Sequence, residues 1–107
     1  TNPRFQPEVS NLPDNFQFQA TGVTNATDQV QYTWQNSGTQ ADVNQASSVT
    51  NGTATLTIRD ANNTQVYSAD LRNNGTFQTQ VGASGNWTII VAVSDLDGTL
   101  NFRVQKR

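Results

Sequence analysis

From Phe16 onward, apolar and polar residues alternate almost one for one, and no window carries the apolar spacing of about 3.6 residues that marks a helix. A period of two sends successive side chains to opposite faces, so the chain is constrained to strands with one buried and one hydrated side. Phe16-Gln17-Phe18-Gln19-Ala20, Val30-Gln31-Tyr32-Thr33-Trp34, Ala54-Thr55-Leu56-Thr57-Ile58 and Leu100-Asn101-Phe102-Arg103-Val104 show the pattern most plainly. Residues 39–46 alternate more weakly around Ala41 and Val43, and Gln65-Val66-Tyr67-Ser68 and Phe77-Gln78-Thr79-Gln80-Val81 add two further strands. Trp87-Thr88-Ile89-Ile90-Val91-Ala92-Val93 is the most apolar run and the expected central strand.

Between these runs lie clusters of residues that tolerate tight turns or positive φ: Asn36-Ser37-Gly38, Asp60-Ala61-Asn62-Asn63, Asn73-Asn74-Gly75, Gly82-Ala83-Ser84-Gly85 and Asp95-Leu96-Asp97-Gly98. The reading is all-β: an antiparallel two-sheet β-sandwich of seven or eight strands, immunoglobulin-like or jelly-roll. Parity predicts an inward set of Phe16, Phe18, Val30, Tyr32, Trp34, Leu56, Ile58, Val66, Phe77, Trp87, Ile89, Val91, Val93, Leu100, Phe102 and Val104. The chain's 107 residues suffice for one such core. Residues 15–107 are therefore read as a single domain. Residues 1–14 hold all three prolines and no period, and are expected to be an extended lead-in or tether.

Composition removes several classes of function. With no histidine and no cysteine, the chain lacks an imidazole base, a thiol nucleophile, a disulfide and the usual zinc, copper or haem ligands. Six cations against eight anions leave no basic excess for nucleic acid. No apolar run approaches the roughly 20 residues of a membrane-spanning helix. Uncharged polar residues dominate instead, with 15 Thr, 13 Asn, 12 Gln and 7 Ser, while charged residues are held to 13%. That balance suits an extracytoplasmic location, whether secreted, periplasmic or at the cell surface. The chain has no Met and opens Thr1-Asn2-Pro3-Arg4, which reads as a processed mature end or a trimmed chain.

Three groups of residues are candidates for binding. Asp95 and Asp97, two residues apart before Gly98, resemble a fragment of a calcium loop, while a D-x-D-G hairpin turn accounts for the same residues. Tyr67 lies beside inward Val66 and so points to the opposite face, where a ring could meet a ligand such as a sugar. Five N-x-[ST] matches, at Asn25, Asn51, Asn62, Asn74 and Asn86, are read as turn chemistry. A glycosidase would need two carboxylates about 5–9.5 Å apart in a cleft, one of them with a raised pKa. The aspartates here fall at turns and strand ends, where solvent keeps them ionised.

Leu56-Thr57-Ile58-Arg59-Asp60 ahead of a polar turn, then Gly85-Asn86-Trp87-Thr88-Ile89-Ile90-Val91 ahead of a final hairpin, resemble small bacterial secreted β-sandwich domains. The pattern is similar to pre-peptidase C-terminal (PPC-like) domains and, more distantly, to GOLD-like sandwiches. The resemblance implies a non-catalytic accessory domain of an exported or lipid-anchored protein and carries no site residues with it. The expected function is a structural or protein-interaction module without cofactor. The alternatives are a carbohydrate-binding module using an exposed sheet face and a calcium-stabilised adhesion domain.

Overall fold

The computed structural model describes residues 2–107. Among them the regular elements are seven strands: β1 (Glu8–Leu12), β2 (Asn15–Asn36), β3 (Ala41–Gln45), β4 (Ser48–Arg59), β5 (Gln65–Asp70), β6 (Gly75–Gln78) and β7 (Gly85–Lys106). All pair antiparallel, in the order β1-β2-β7-β3-β6, with β4 also on β7 and β5 on β4. No helix among the described residues is long and apolar enough to cross a membrane.

The two 22-residue strands β2 and β7 build the sandwich-like shape. They pair along their whole length, from Asn15↔Gln105 to Asn36↔Gly85, but the register slips between Ala20 and Val23, between Val23 and Ala26, and between Ala26 and Asp28. These irregularities bend both strands, so that each passes from one layer into the other. One layer contains β1, the first half of β2, the second half of β7, β3 and β6. The other contains the second half of β2, the first half of β7, β4 and β5. The halves of β2 then face each other: the Phe16 ring lies 5.4 Å from that of Tyr32, and the Asp14 N–H donates to the Gln35 carbonyl at 2.9 Å.

The bend explains one departure from the sequence reading. Asp95-Leu96-Asp97-Gly98 is not a hairpin turn; β7 runs through it. Asn25 and Asp95 adopt positive φ of 42° and 47°, and Gly22, Gly52 and Gly98 share the left-handed half of the map. Gly52 has no alternative, because a Cβ there would sit 2.2 Å from the Asp95 carbonyl oxygen. Leu96, Val23 and Ala26 point inward at this corner and extend the core through it.

Between the layers the alternation holds. Thirteen of the sixteen expected inward residues are buried, including Trp34 and Trp87 at 0% exposure. Their rings meet edge to face at 6.0 Å, and their indole N–H groups donate to the carbonyls of Leu12 and Ala83. Val30 and Tyr32 are half-buried, because they lie on the half of β2 that forms a layer edge. Phe77 is the correction: it faces Val43 across the β3–β6 pair but is 37% exposed, since β6 is the outermost strand.

The first fourteen residues also need correcting, except Thr1, which lies outside the described residues. Far from being a free tether, β1 pairs with β2 from Glu8↔Gln19 to Leu12↔Asn15. Phe5 is buried, with its ring 6.3 Å from that of Phe18. The reason is an apolar gap at the side of the first layer, which Phe5 fills from between Pro3 and Pro7.

Candidate functional site

Tyr67 does not stand free on a sheet face. It sits half-buried on β5, packed against the core, and its hydroxyl donates to Gln45 Oε1 at 2.7 Å. Burial pushes the phenol pKa up to about 12. Gln45 is itself buried, and its Nε2 donates to the carbonyls of Asn73 at 2.6 Å and Asp70 at 3.2 Å. This network ties β3 to β5 and to the turn before β6, which gives Tyr67 a structural partner inside the molecule.

Asp95 and Asp97 lie together at the corner of β7, with different surroundings. Asp97 Oδ1 accepts the Asn25 N–H at 2.8 Å, and the Thr50 hydroxyl donates to its carbonyl. The backbone N–H of Asp95 donates to Thr27 Oγ1 at 3.0 Å. These contacts replace ladder bonds lost where the register slips. Among the described residues, no three His, Cys, Asp or Glu side chains gather into a metal-binding group.

Asp60, Asp14, Asp28 and Asp70 serve the backbone in the same way. Asp60 accepts N–H groups from Ala83, Thr64 and Asn62, each at 2.9 Å, and these bonds hold its pKa below the usual carboxylate range. Asp14 accepts both the N–H and the hydroxyl of Ser37 at 2.8 Å and is lowered likewise. Asp28 and Asp70 cap Gln29 and Arg72, and Asp42 pairs with Arg107 at 3.1 Å. At Asp60 and Asp14 the bonds stabilise the ionised form, whereas an acid catalyst near neutral pH needs the opposite.

Among the described residues, β1, β5 and β6 each bond to a strand on one side only, and of these β6 is the one exposed throughout. β6 carries Gly75-Thr76-Phe77-Gln78, with β3 on its paired side. The strand ends at Gln78, short of the expected Val81, because Thr79 turns inward. Its N–H bonds the Ala41 carbonyl, and its hydroxyl oxygen accepts the Ala41 N–H. Gln80 then bonds to the Val66 carbonyl of β5, which throws Val81 outward to 69% exposure. Phe77 and Val81 are therefore exposed along a strand with no charged residue of its own, while the Arg107 guanidinium lies against the Gln78 amide at its end. The alternation alone had turned Phe77 toward the core side, and only the position of β6 at the sheet margin reveals it.

No known protein family matches the chain, and no curated protein matches it either. Among solved structures, the chain is similar to a protein of the "Glycosylation Associate Protein (Gap123) complex from Streptococcus agalactiae", at 9% identity and a TM-score of 0.47. That likeness covers 98% of this chain, which spans 40% of the other protein's length.

Proposed function

We propose that this chain is a non-catalytic, extracytoplasmic interaction module that takes an extended segment of a partner protein along β6. The observation carrying the reading is the open β6 edge with Phe77 and Val81 exposed beside it. An antiparallel partner would meet the outward N–H and C=O groups of alternate residues, about four bonds in all. At about 0.5–1.5 kcal/mol each, these contribute about 2–6 kcal/mol. Micromolar affinity needs about 8 kcal/mol, so apolar side chains of the partner packing on Phe77 and Val81 must supply the remainder. The module is accordingly a weak, transient binder whose selectivity lies in those two anchors. The commitment of Asp14, Asp28, Asp60, Asp70 and Asp97 to backbone N–H groups supports the non-catalytic part of the reading. The uncharged polar composition and the resemblance to secreted accessory domains support the location.

Peptide display on the folded protein tests this. Selected peptides should be extended, with apolar residues at alternate positions. They should lose at least tenfold in affinity on Thr76→Pro, which removes an edge N–H, and on Phe77→Lys. Peptides indifferent to both changes, or a protein that selects none while scoring on a glycan array, would refute the reading.

A further inference from the structure

Asp60-Ala61-Asn62-Asn63-Thr64 joins β4 to β5 and holds one of the five N-x-[ST] matches. All five place a threonine hydroxyl two residues after the asparagine, the minimal pattern for an acceptor of an asparagine-linked glycan. They differ two residues before it. Val23, Val49, Arg72 and Ser84 stand ahead of Asn25, Asn51, Asn74 and Asn86, and Asp60 alone supplies a carboxylate, ahead of Asn62. A carboxylate there gives a transferase a charge to grip with a cation, beside the hydroxyl it reads by hydrogen bonding.

The folded chain singles out the same site as a place for the product. Asn62 and Thr64 are both exposed, and among the described residues neither side chain makes a hydrogen bond; only their backbone N–H groups are held, by Asp60. Asn74 is different: its Oδ1 accepts the Ser47 N–H at 2.8 Å and its Nδ2 donates to the Ser47 carbonyl at 2.9 Å, so a sugar on that nitrogen would force the pair apart. At Asn25 the threonine of the motif, Thr27, accepts the Asp95 N–H at 3.0 Å. Asn51 and Asn86 sit inside strands, paired with Asp97 and Gln35. Asn62 alone combines a turn, an unengaged amide and the acidic neighbour.

We infer that Asn62 is the acceptor of an asparagine-linked oligosaccharide, which rests on the extracytoplasmic part of the reading above. The co-substrate is an oligosaccharide carried on a polyprenyl pyrophosphate, and the catalyst is an oligosaccharyltransferase. Asn62 Nδ2 attacks the anomeric carbon. The new C–N bond replaces the C–O bond to the pyrophosphate, which leaves with the electron pair, and a base of the transferase takes one amide proton. Nothing is oxidised or reduced. In the folded chain Asp60 is buried and its oxygens accept three N–H groups, one of them from Ala83, far beyond the turn in sequence. The carboxylate is open to a transferase only before those bonds form, so transfer precedes folding. The turn then closes with the glycosylated amide outside.

The test uses the full chain, exported behind a cleavable leader into the periplasm of a bacterium carrying a transferase that reads an acid two residues before the asparagine, with its lipid-linked oligosaccharide. Intact mass and glycopeptide sequencing should find one glycan, at Asn62. Asn62→Gln and Thr64→Val should abolish it. Asp60→Asn should lower occupancy at least tenfold and Asp60→Glu should retain most of it, although both disturb the same backbone bonds; the pair separates charge from fold. Chain folded before it meets the transferase should take up at least tenfold less glycan, and the glycosylated chain should keep the urea midpoint of the bare one. No glycan at Asn62, equal occupancy at the other four asparagines, equal loss in both Asp60 variants, or an equal yield from prefolded chain overturns the inference. Because the leader supplies export, none of these outcomes depends on where the chain resides in its own cell, which fractionation reads separately.

Discussion

Replacing Tyr67 by Phe deletes one atom, and the structure specifies what that atom holds. The hydroxyl is the donor to Gln45 Oε1, a carbonyl oxygen on a buried side chain whose amide end already serves two backbone carbonyls. Without it the oxygen stays buried and unpaired, for a loss of about 2 kcal/mol, which corresponds to a fall in Tm of about 8–16 °C for a domain of this size. Urea unfolding followed by tryptophan fluorescence measures the loss, because Trp34 and Trp87 are both in the core. A double-mutant cycle isolates it. Gln45→Leu removes the acceptor, so Tyr67→Phe should then cost at least 1 kcal/mol less than it does alone, roughly the worth of the lost bond. Alkaline pH gives a second readout. With its pKa raised to about 12 in the folded state against an unfolded value of 10.0, Tyr67 keeps its proton when the unfolded chain has lost it. Stability is therefore complete below the unfolded value and declines as pH rises toward the folded one. Tyr67→Phe should flatten most of that decline, leaving the smaller share of Tyr32, whose pKa burial also raises. A Tyr67→Phe cost below about 0.5 kcal/mol, or one unchanged by Gln45→Leu, would show that the network does not bear on stability.

Four further outcomes follow from the geometry. Asp60, held ionised by three N–H groups, contributes stability above its unfolded value of 3.8 that is lost as pH falls through its lower folded value; Asp60→Asn should shrink the acid-induced drop in denaturation midpoint. Phe5→Ala should destabilise by about 3 kcal/mol in urea melts, whereas a dangling segment would give less than about 0.5 kcal/mol. Gly52→Ala should cost clearly more in thermal melts than Gly22→Ala. Both glycines have positive φ, but a Cβ strikes the Asp95 carbonyl only at the first and meets nothing within 4 Å at the second. Melting with excess calcium and with chelator should give the same midpoint, because Asp97 is already engaged by Asn25; a rise with calcium would assign the Asp95–Asp97 corner to a metal.

The alternation carried most of the fold, because a period of two records directly which side chains face inward. It failed where strands bend without ending. Residues 21–27 and 95–98 carry Gly, Asn and Asp in the proportions of a turn, and a bulged corner uses the same residues for the same positive φ. The usable signal was Leu96, an apolar residue in the middle of a supposed turn that proves fully buried. Phe5 was hidden by its flanking prolines, which erase periodicity without preventing a single ring from docking. Phe77 was misjudged because parity gives a side but not a strand's rank in the sheet. The Asn62 motif was legible as a pattern, but not the freedom of its amide, which is a property of three-dimensional surroundings.

β7 is the last strand in chain order, and it is the one to which β2, β3 and β4 all bond. A nascent chain emerging from the ribosome can form the pairings β1–β2, β3–β6 and β4–β5, but neither layer has its middle until residues 85–106 are free of the exit tunnel. Acquisition of the native state is thus deferred to the completion of this segment. Until then the Thr-, Asn- and Gln-rich ribbons remain unsealed, and the long-range pairings that close both layers form last.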